Sequence, residues 1–415
     1  MIFLTVWKRN LAVCWMGSFT TSIGMSLVVP FLAFYIENLG VTNIKSVEQL
    51  SGIAFAITFL VASIMSPMWG KLSDKKGRKL VMMCTAIGLS LVSFGTAFAA
   101  NVYMLIFFRI LQGLISGFIP SAMSFVAKET PEGHTGWALA TLTTGSMAGT
   151  LLGPIFGGYL DELVGIRIVF FITAGFLFMS FLVVKLFLVE NKGEFNLKNQ
   201  DSNGKKYKEK SIWDRVESRS FIIILLITTC IINTSNQSIE PIVSLYVRQL
   251  LNAAHIGSSH ISLYSGVVMS ATGFGILISA SKIGRLGDKG SYFKVLSISI
   301  IISAVVFIPM AFVRNPWELM ILRFVLGICQ AGVMPSIATM LKKTSAKEIS
   351  GTIFGYNQAA QFSGLVIGPL IGSQISANFG FTHVFFFTGF LLMLNYILII
   401  HTKKSNRERI ERLSL

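Results

Sequence analysis

Three ionisable side chains stand deep inside long apolar runs: Arg109, Glu240 and Arg323. A charge at membrane depth is costly, so such a residue faces protein or water and is by default a functional candidate. A carboxylate can take up and release a proton in response to its surroundings, whereas a guanidinium keeps its proton at any accessible pH. Glu240 is therefore the first choice for a proton-carrying site that a cationic ligand could share in turn, with Arg109 or Arg323 as its partner. Arg109 and Arg323 each lie seven residues into their runs, about 10 Å deep at 1.5 Å per residue. Pro241 follows Glu240 and is expected to distort the helix there. Glu37, at the end of the first run, is the second choice and is expected to be exposed.

Uncharged polar residues accompany these groups. Asn233, Asn236 and Gln237 share a run with Glu240, Gln112 lies one turn from Arg109, and Gln330, Asn357, Gln358 and Gln361 lie in two later runs. Amides in such places line a cavity or bond between helices. None of the five histidines belongs to a metal or triad pattern. The four cysteines occur singly, and no GxxxxGK[ST] loop is present. We expect no metal, no cofactor, no direct use of ATP and no enzyme activity.

The elements that must position these residues follow from composition. Of 415 residues 53% are hydrophobic and 13% charged, about half the charge typical of soluble domains. The net charge of +16 would suggest nucleic acid in a soluble protein. Here it follows topology, and no nucleic-acid partner is expected. Twelve apolar runs are long enough to cross a bilayer. A polar, Lys-rich stretch at 190–219 divides them six and six. The expected organisation is an N-terminal six-helix half (1–189), a cytoplasmic linker (190–219) and a C-terminal half with a short basic tail (220–415). Four of the 35 Lys and Arg fall in outer loops and two in the membrane, leaving 29 on the inner side if the N-terminus is inside. That asymmetry puts both termini in the cytoplasm.

The halves repeat one another. Gly70-Lys-Leu-Ser-Asp74 recurs as Gly284-Arg-Leu-Gly-Asp288, Arg109 as Arg323 and Gly113 as Gly327, all at a single constant offset. Gly153-Pro154 recurs as Gly368-Pro369, with the offset longer by one. Six runs repeated in one orientation describe an all-α polytopic membrane protein, with twelve transmembrane helices in two halves related by a parallel repeat. Such a protein holds its binding cavity between the halves.

Two motifs carry the rest. Between the second and third runs, Gly70, Asp74, Gly77 and Arg78 stand in a basic cluster, Lys71 to Lys79. The glycines suit tight turns, and Asp74 could stabilise a helix N-terminus. In the second copy Asp288 remains, but Ser291 and Tyr292 replace Gly77 and Arg78. In the fifth run Gly145, Gly149, Gly153 and Gly157 recur every four residues, forming one glycine stripe, with Pro154 and Gly158 beside it.

These segments resemble the signature loop of the major facilitator superfamily and the antiporter motif of its drug/proton exporters, and Arg109-Ile-Leu-Gln112-Gly113 resembles a further motif of that superfamily. Among its twelve-span exporters the chain most resembles the MdtG/PmrA-like multidrug efflux group. The resemblance implies the major facilitator fold, a cavity lined by spans one, four, seven and ten, an inner gate at the first loop, and a span-five bend that tightens the contact between halves. It implies a monomeric transporter of the cell membrane that exchanges protons for amphipathic, often cationic, drugs. The alternative is a transporter for one physiological metabolite, anionic or a sugar; the two arginines suit an anion.

Overall fold

A computed structural model of the chain describes residues 6–131, 134–190, 219–254, 260–289, 291–344 and 350–405. Apart from Glu190 and Arg219, the linker expected at 190–219 lies outside the described residues, as does the end of the basic tail. Every regular element among those described is helical.

The helices, numbered in chain order, build twelve spans of two kinds. Eight spans are single unbroken helices: α3 (Ile44–Lys76), α4 (Arg78–Ala97), α7 (Thr135–Val164), α8 (Ile166–Phe187), α11 (Ile261–Lys289), α12 (Tyr292–Met310), α15 (Ser350–Phe379) and α16 (Phe381–Ser405). Spans one, four, seven and ten are each two helices. Span one is α1 (Val6–Ser26), a 3-10 turn at Val29–Phe31 and α2 (Leu32–Asn38). Span four is α5 (Val102–Leu114) and α6 (Phe118–Glu129), and span seven is α9 (Arg219–Gln237) and α10 (Val243–Ala253). Span ten is α13 (Pro316–Gln330) and α14 (Val333–Thr344). Pro30 and Pro241, which lack a backbone donor, sit in two of these breaks. Proline alone does not set them, because Pro67, Pro154 and Pro369 lie inside unbroken helices.

Among the described residues, eleven helical stretches are long and apolar enough to cross a membrane. The remaining span is α15, 30 residues long, whose glutamines, asparagines and serines lower its hydropathy.

The repeat is visible in the backbone. Asn101 and Asn315, at equivalent positions in the two copies, each cap a helix by accepting a 2.9 Å bond from the backbone N–H three residues on. Gly165 (φ 79°) and Gly380 (φ 89°) join α7 to α8 and α15 to α16 through a single residue. A side chain would strain that left-handed conformation.

Two compact units emerge. One contains the chain up to Phe31 and again from Ile57 through α8; the other contains Leu32–Ala56 and the helices from α9 onward. In the first unit Leu11 and Cys14 of α1, Met82 of α4, Phe118 and Phe125 of α6, Leu142 of α7 and Val184 of α8 form a buried cluster. In the second, α9 lies on α15, α11 on α13, and α12 on α16.

Candidate functional site

Glu240 occupies the break in span seven, between α9 and α10. Its Oε1 is 3.4 Å from Nη2 of Arg323 on α13. The Arg323 side chain is 7% exposed and that of Glu240 24%. Arg323 Nε donates to Thr272 Oγ1 of α11 at 3.2 Å, while its Nη1 is buried without a partner. A charge-assisted N–H···O bond is commonly 2.7–2.9 Å, so the carboxylate is held, but loosely. Of the two candidate arginines, the one that meets Glu240 is Arg323.

Arg109, 9% exposed, is set on α5 and donates from Nη1 to Gln112 Oε1 at 2.9 Å. Thr58 of α3, the repeat counterpart of Thr272, donates to the Arg109 carbonyl at 3.2 Å. Gly113 and Gly327 let these helices approach closely. A methyl on Gly113 would lie 2.5 Å from the Thr58 carbonyl oxygen, and one on Gly327 would run into that of Thr272.

The amides divide. Gln330 donates to Asn236 at 2.7 Å, linking α13 to α9 inside the second unit. Asn357, 7% exposed, accepts from Thr229 at 2.8 Å and fastens α15 to α9. Asn233 bonds the Thr229 carbonyl of its own helix. Gln237 packs beside Gly368. Gln358 is exposed and its amide is 3.5 Å from Gln361.

Glu37 departs from expectation. It is no exposed carboxylate: its two oxygens accept from Nη1 and Nη2 of Arg248 at 2.6 and 2.7 Å. Arg248 belongs to α10, which continues to Ala253. Its guanidinium also lies over the Phe34 ring, 5.4 Å from the centroid. Glu37 and Arg248 are 211 residues apart, as are Pro30 and Pro241. By that offset Val29 corresponds to Glu240.

The first motif is also rearranged. Gly70 is no turn residue but lies within α3, which runs unbroken to Lys76. Gly77 alone makes the turn, at φ 96°. The acid that caps the next helix is Glu190, whose oxygens accept from the backbone N–H of Arg78 (2.8 Å) and Lys79 (3.1 Å). A carboxylate is favoured there by the helix dipole. Lys79 Nζ in turn reaches the carbonyls of Lys185 and Leu188, and Asn10 bonds both backbone groups of Val189. The side chains of Asp74 and Asp288 lie outside those described.

The glycine stripe of α7 is used within the first unit, to bring that helix onto α1. Methyls on Gly145 and Gly149 would stand 2.8 and 2.5 Å from the carbonyls of Trp15 and Phe19, and on Gly153 and Gly157 would strike Ser26 and the Leu27 carbonyl. Gly364, Gly368 and Gly372 bring α15 onto α9 in the same way. Gly158 and Pro154 are buried in α7.

Sequence reasoning passed over Thr272, Arg248 and Glu48. Glu48, on α3, is 4% exposed. It reads in the sequence as a loop-edge acid, and nothing local marks it as buried.

A family model described as Major Facilitator Superfamily matches residues 14–289 and 225–414. Multidrug resistance protein MdtG of Proteus mirabilis (strain HI4320) is 41% identical over 391 residues, covering 94% of this chain and 95% of that protein. The protein of the same name from Salmonella schwarzengrund (strain CVM19633) is 41% identical over 405 residues, covering 98% of both. The crystal structure of the nucleoside transporter NupG superposes with a TM-score of 0.76 at 12% identity, covering 96% of this chain and 99% of that one. That last likeness concerns the fold alone.

Proposed function

Because the chain belongs to the Major Facilitator Superfamily, we propose that it is a secondary multidrug efflux transporter that expels amphipathic, often cationic, drugs in exchange for protons. The multidrug part of this reading is supported by relatives that share 41% of their residues with nearly the whole chain. The proton part is carried by one observation: a carboxylate in a helix break, 3.4 Å from a buried arginine.

Glu240 and Arg323 attract one another while the carboxylate is ionised. A proton arriving on Glu240 removes that attraction and leaves Arg323 with its charge, since the guanidinium does not titrate. A drug cation that takes the place of the proton restores a charge opposite the carboxylate. Proton and drug then occupy the same group in turn, which is what exchange requires. Break residues around the pair let α10 move relative to α9 without breaking regular helix bonds.

In this reading the two six-helix halves, 1–189 and 220–415, are the moving bodies, joined by the cytoplasmic linker 190–219. Both termini lie in the cytoplasm, α2 and the start of α3 face outward, and the Gly77 turn faces inward. The protein acts as a monomer in the cell membrane, without ATP. A second reading, a carrier of an anionic metabolite, is favoured by the Arg323 Nη1, which is buried without a partner.

The test is ethidium movement in inside-out vesicles carrying the purified protein. Uptake that needs an imposed proton gradient, is abolished by a protonophore, and is lost in Glu240→Gln supports drug/proton exchange. Drug-driven proton movement that survives Glu240→Gln excludes Glu240 as the carrier. No uptake by folded protein sends the search to anions.

A further inference from the structure

One buried carboxylate has no part in the exchange just described. Glu48 lies on α3, one turn from its start, and is 4% exposed. Its Oε2 is buried without a hydrogen-bond partner. The same face of α3 is pressed onto α15. Gln49 donates to Gln374 at 3.1 Å. At Gly52 a methyl would lie 2.6 Å from the Pro369 carbonyl oxygen and collide with Ser373. Ser376 of α15 is the polar side chain that faces Glu48, and its hydroxyl oxygen is also buried without a hydrogen-bond partner.

The charges around Glu48 are few. Lys45, exposed on the same helix, acts on it from one turn away. The whole of α15 contains no Asp, Glu, Lys, Arg or His, and its one tyrosine, Tyr356, lies near the opposite end of the helix from Ser376. His383, which follows on α16, is turned to the Phe379 ring at 6.0 Å. Glu37 and Arg248 are engaged with each other. An ionised Glu48 would therefore keep a buried oxygen whose only facing donor is the Ser376 hydroxyl and whose nearest cation is the exposed Lys45, a poorer setting for the charge than water. A proton removes that charge.

We propose that Glu48 is a proton switch on the outer closure, protonated while the outer half of α3 packs on α15 and ionised once the two part and water reaches it. The proposal rests on the outward orientation of α2 and α3 given above. The proton comes from the external medium on closing and returns there on opening, so none crosses the membrane by this route. Glu48 thus differs in role from Glu240: it sets how readily the outer mouth opens. The closed form binds the extra proton, so acid outside favours closure and rising external pH favours opening. One proton changes the closed-to-open ratio by at most about tenfold per pH unit.

The experiment is a distance measurement between spin labels on Thr42→Cys and Phe379→Cys, both exposed, with the four native cysteines replaced and the protein in nanodiscs. The background is Glu240→Gln, which removes that carboxylate from the titration. We expect the short-distance population to fall as pH rises, and to become independent of pH when Glu48→Gln is added. Short distances that ignore pH in the Glu240→Gln background overturn the proposal, as does pH dependence that survives Glu48→Gln. Should Glu48→Gln fail to fold, infrared spectra of the Glu240→Gln protein decide. A carboxylic-acid band at neutral pH that shifts in Glu48→Asp supports the switch, and its absence overturns it. Neither readout involves drug, so failure of the exchange reading and failure of this one are separable.

Discussion

Arg109 and Arg323 stand at equivalent places in the repeat, yet their surroundings differ. Both are buried, and both helices are drawn in by a glycine four residues on that packs against a threonine carbonyl. Arg323 meets a carboxylate, Glu240, whereas Arg109 meets an amide, Gln112, which has Leu326 as its counterpart in the second half. Val29 occupies in the first break the position that Glu240 occupies in the second. The framework of the repeat has been kept, with a carboxylate in the second break where the first carries Val29. In the proposed exchange a single carboxylate gives a single place for proton and drug to compete, and a second would let one half titrate without the other.

Four sets of substitutions test that comparison. The largest effect should come from Glu240→Gln, which stops gradient-driven ethidium uptake, while Val29→Gln at the matching position leaves it running; vesicle fluorescence reads both. If the two variants behave alike, the asymmetry is not functional. Next, Gly157→Ala and Gly372→Ala, matched positions on the two stripes, should each cost about 1–3 kcal/mol through overpacking against α1 and α9. Thermal unfolding of the purified protein would register both, and a neutral Gly157→Ala would mean that α7 has room to retreat. Gln112→Leu copies the second half onto the first and removes a hydrogen bond to a charged group, worth about 1.5–3 kcal/mol. It should change drug affinity several-fold while leaving the proton-to-drug ratio intact. The smallest effect belongs to the threonines. Thr272→Val loses the bond to the Arg323 side chain and should shift the pH profile of uptake modestly. Thr58→Val, whose bond goes to the Arg109 backbone, should not.

The exposed grammar of the fold was readable from charge and spacing. Arg109, Glu240 and Arg323 stand out because charges are rare in apolar runs, and the repeat stands out because its glycines keep constant offsets. The breaks in spans one, four and ten were not readable, because hydropathy continues across them and Pro67 and Pro154 show that proline does not guarantee a break. Gly70 invited a turn that the helix simply runs through. The pairing of Glu37 with Arg248 joins residues 211 apart, and that of Gln49 with Gln374 joins residues 325 apart. No local pattern carries contacts of that separation. Glu48 was missed for the same reason: its burial is conferred by α15 and not by its own neighbours in sequence.

Glu190 closes the α3–α4 turn from the far end of the N-terminal half. Its backbone belongs to the start of the linker, while its carboxylate belongs, by its bonds, to Arg78 and Lys79. This sets a boundary for dividing the molecule. A fragment ending at Glu190 keeps the clamp on α4 and the seam between Asn10 and Val189. One that stops at Phe187, where α8 ends, loses both and leaves the first backbone donors of α4 to water. Co-expression of complementary fragments should therefore succeed or fail over three residues that no count of spans would single out.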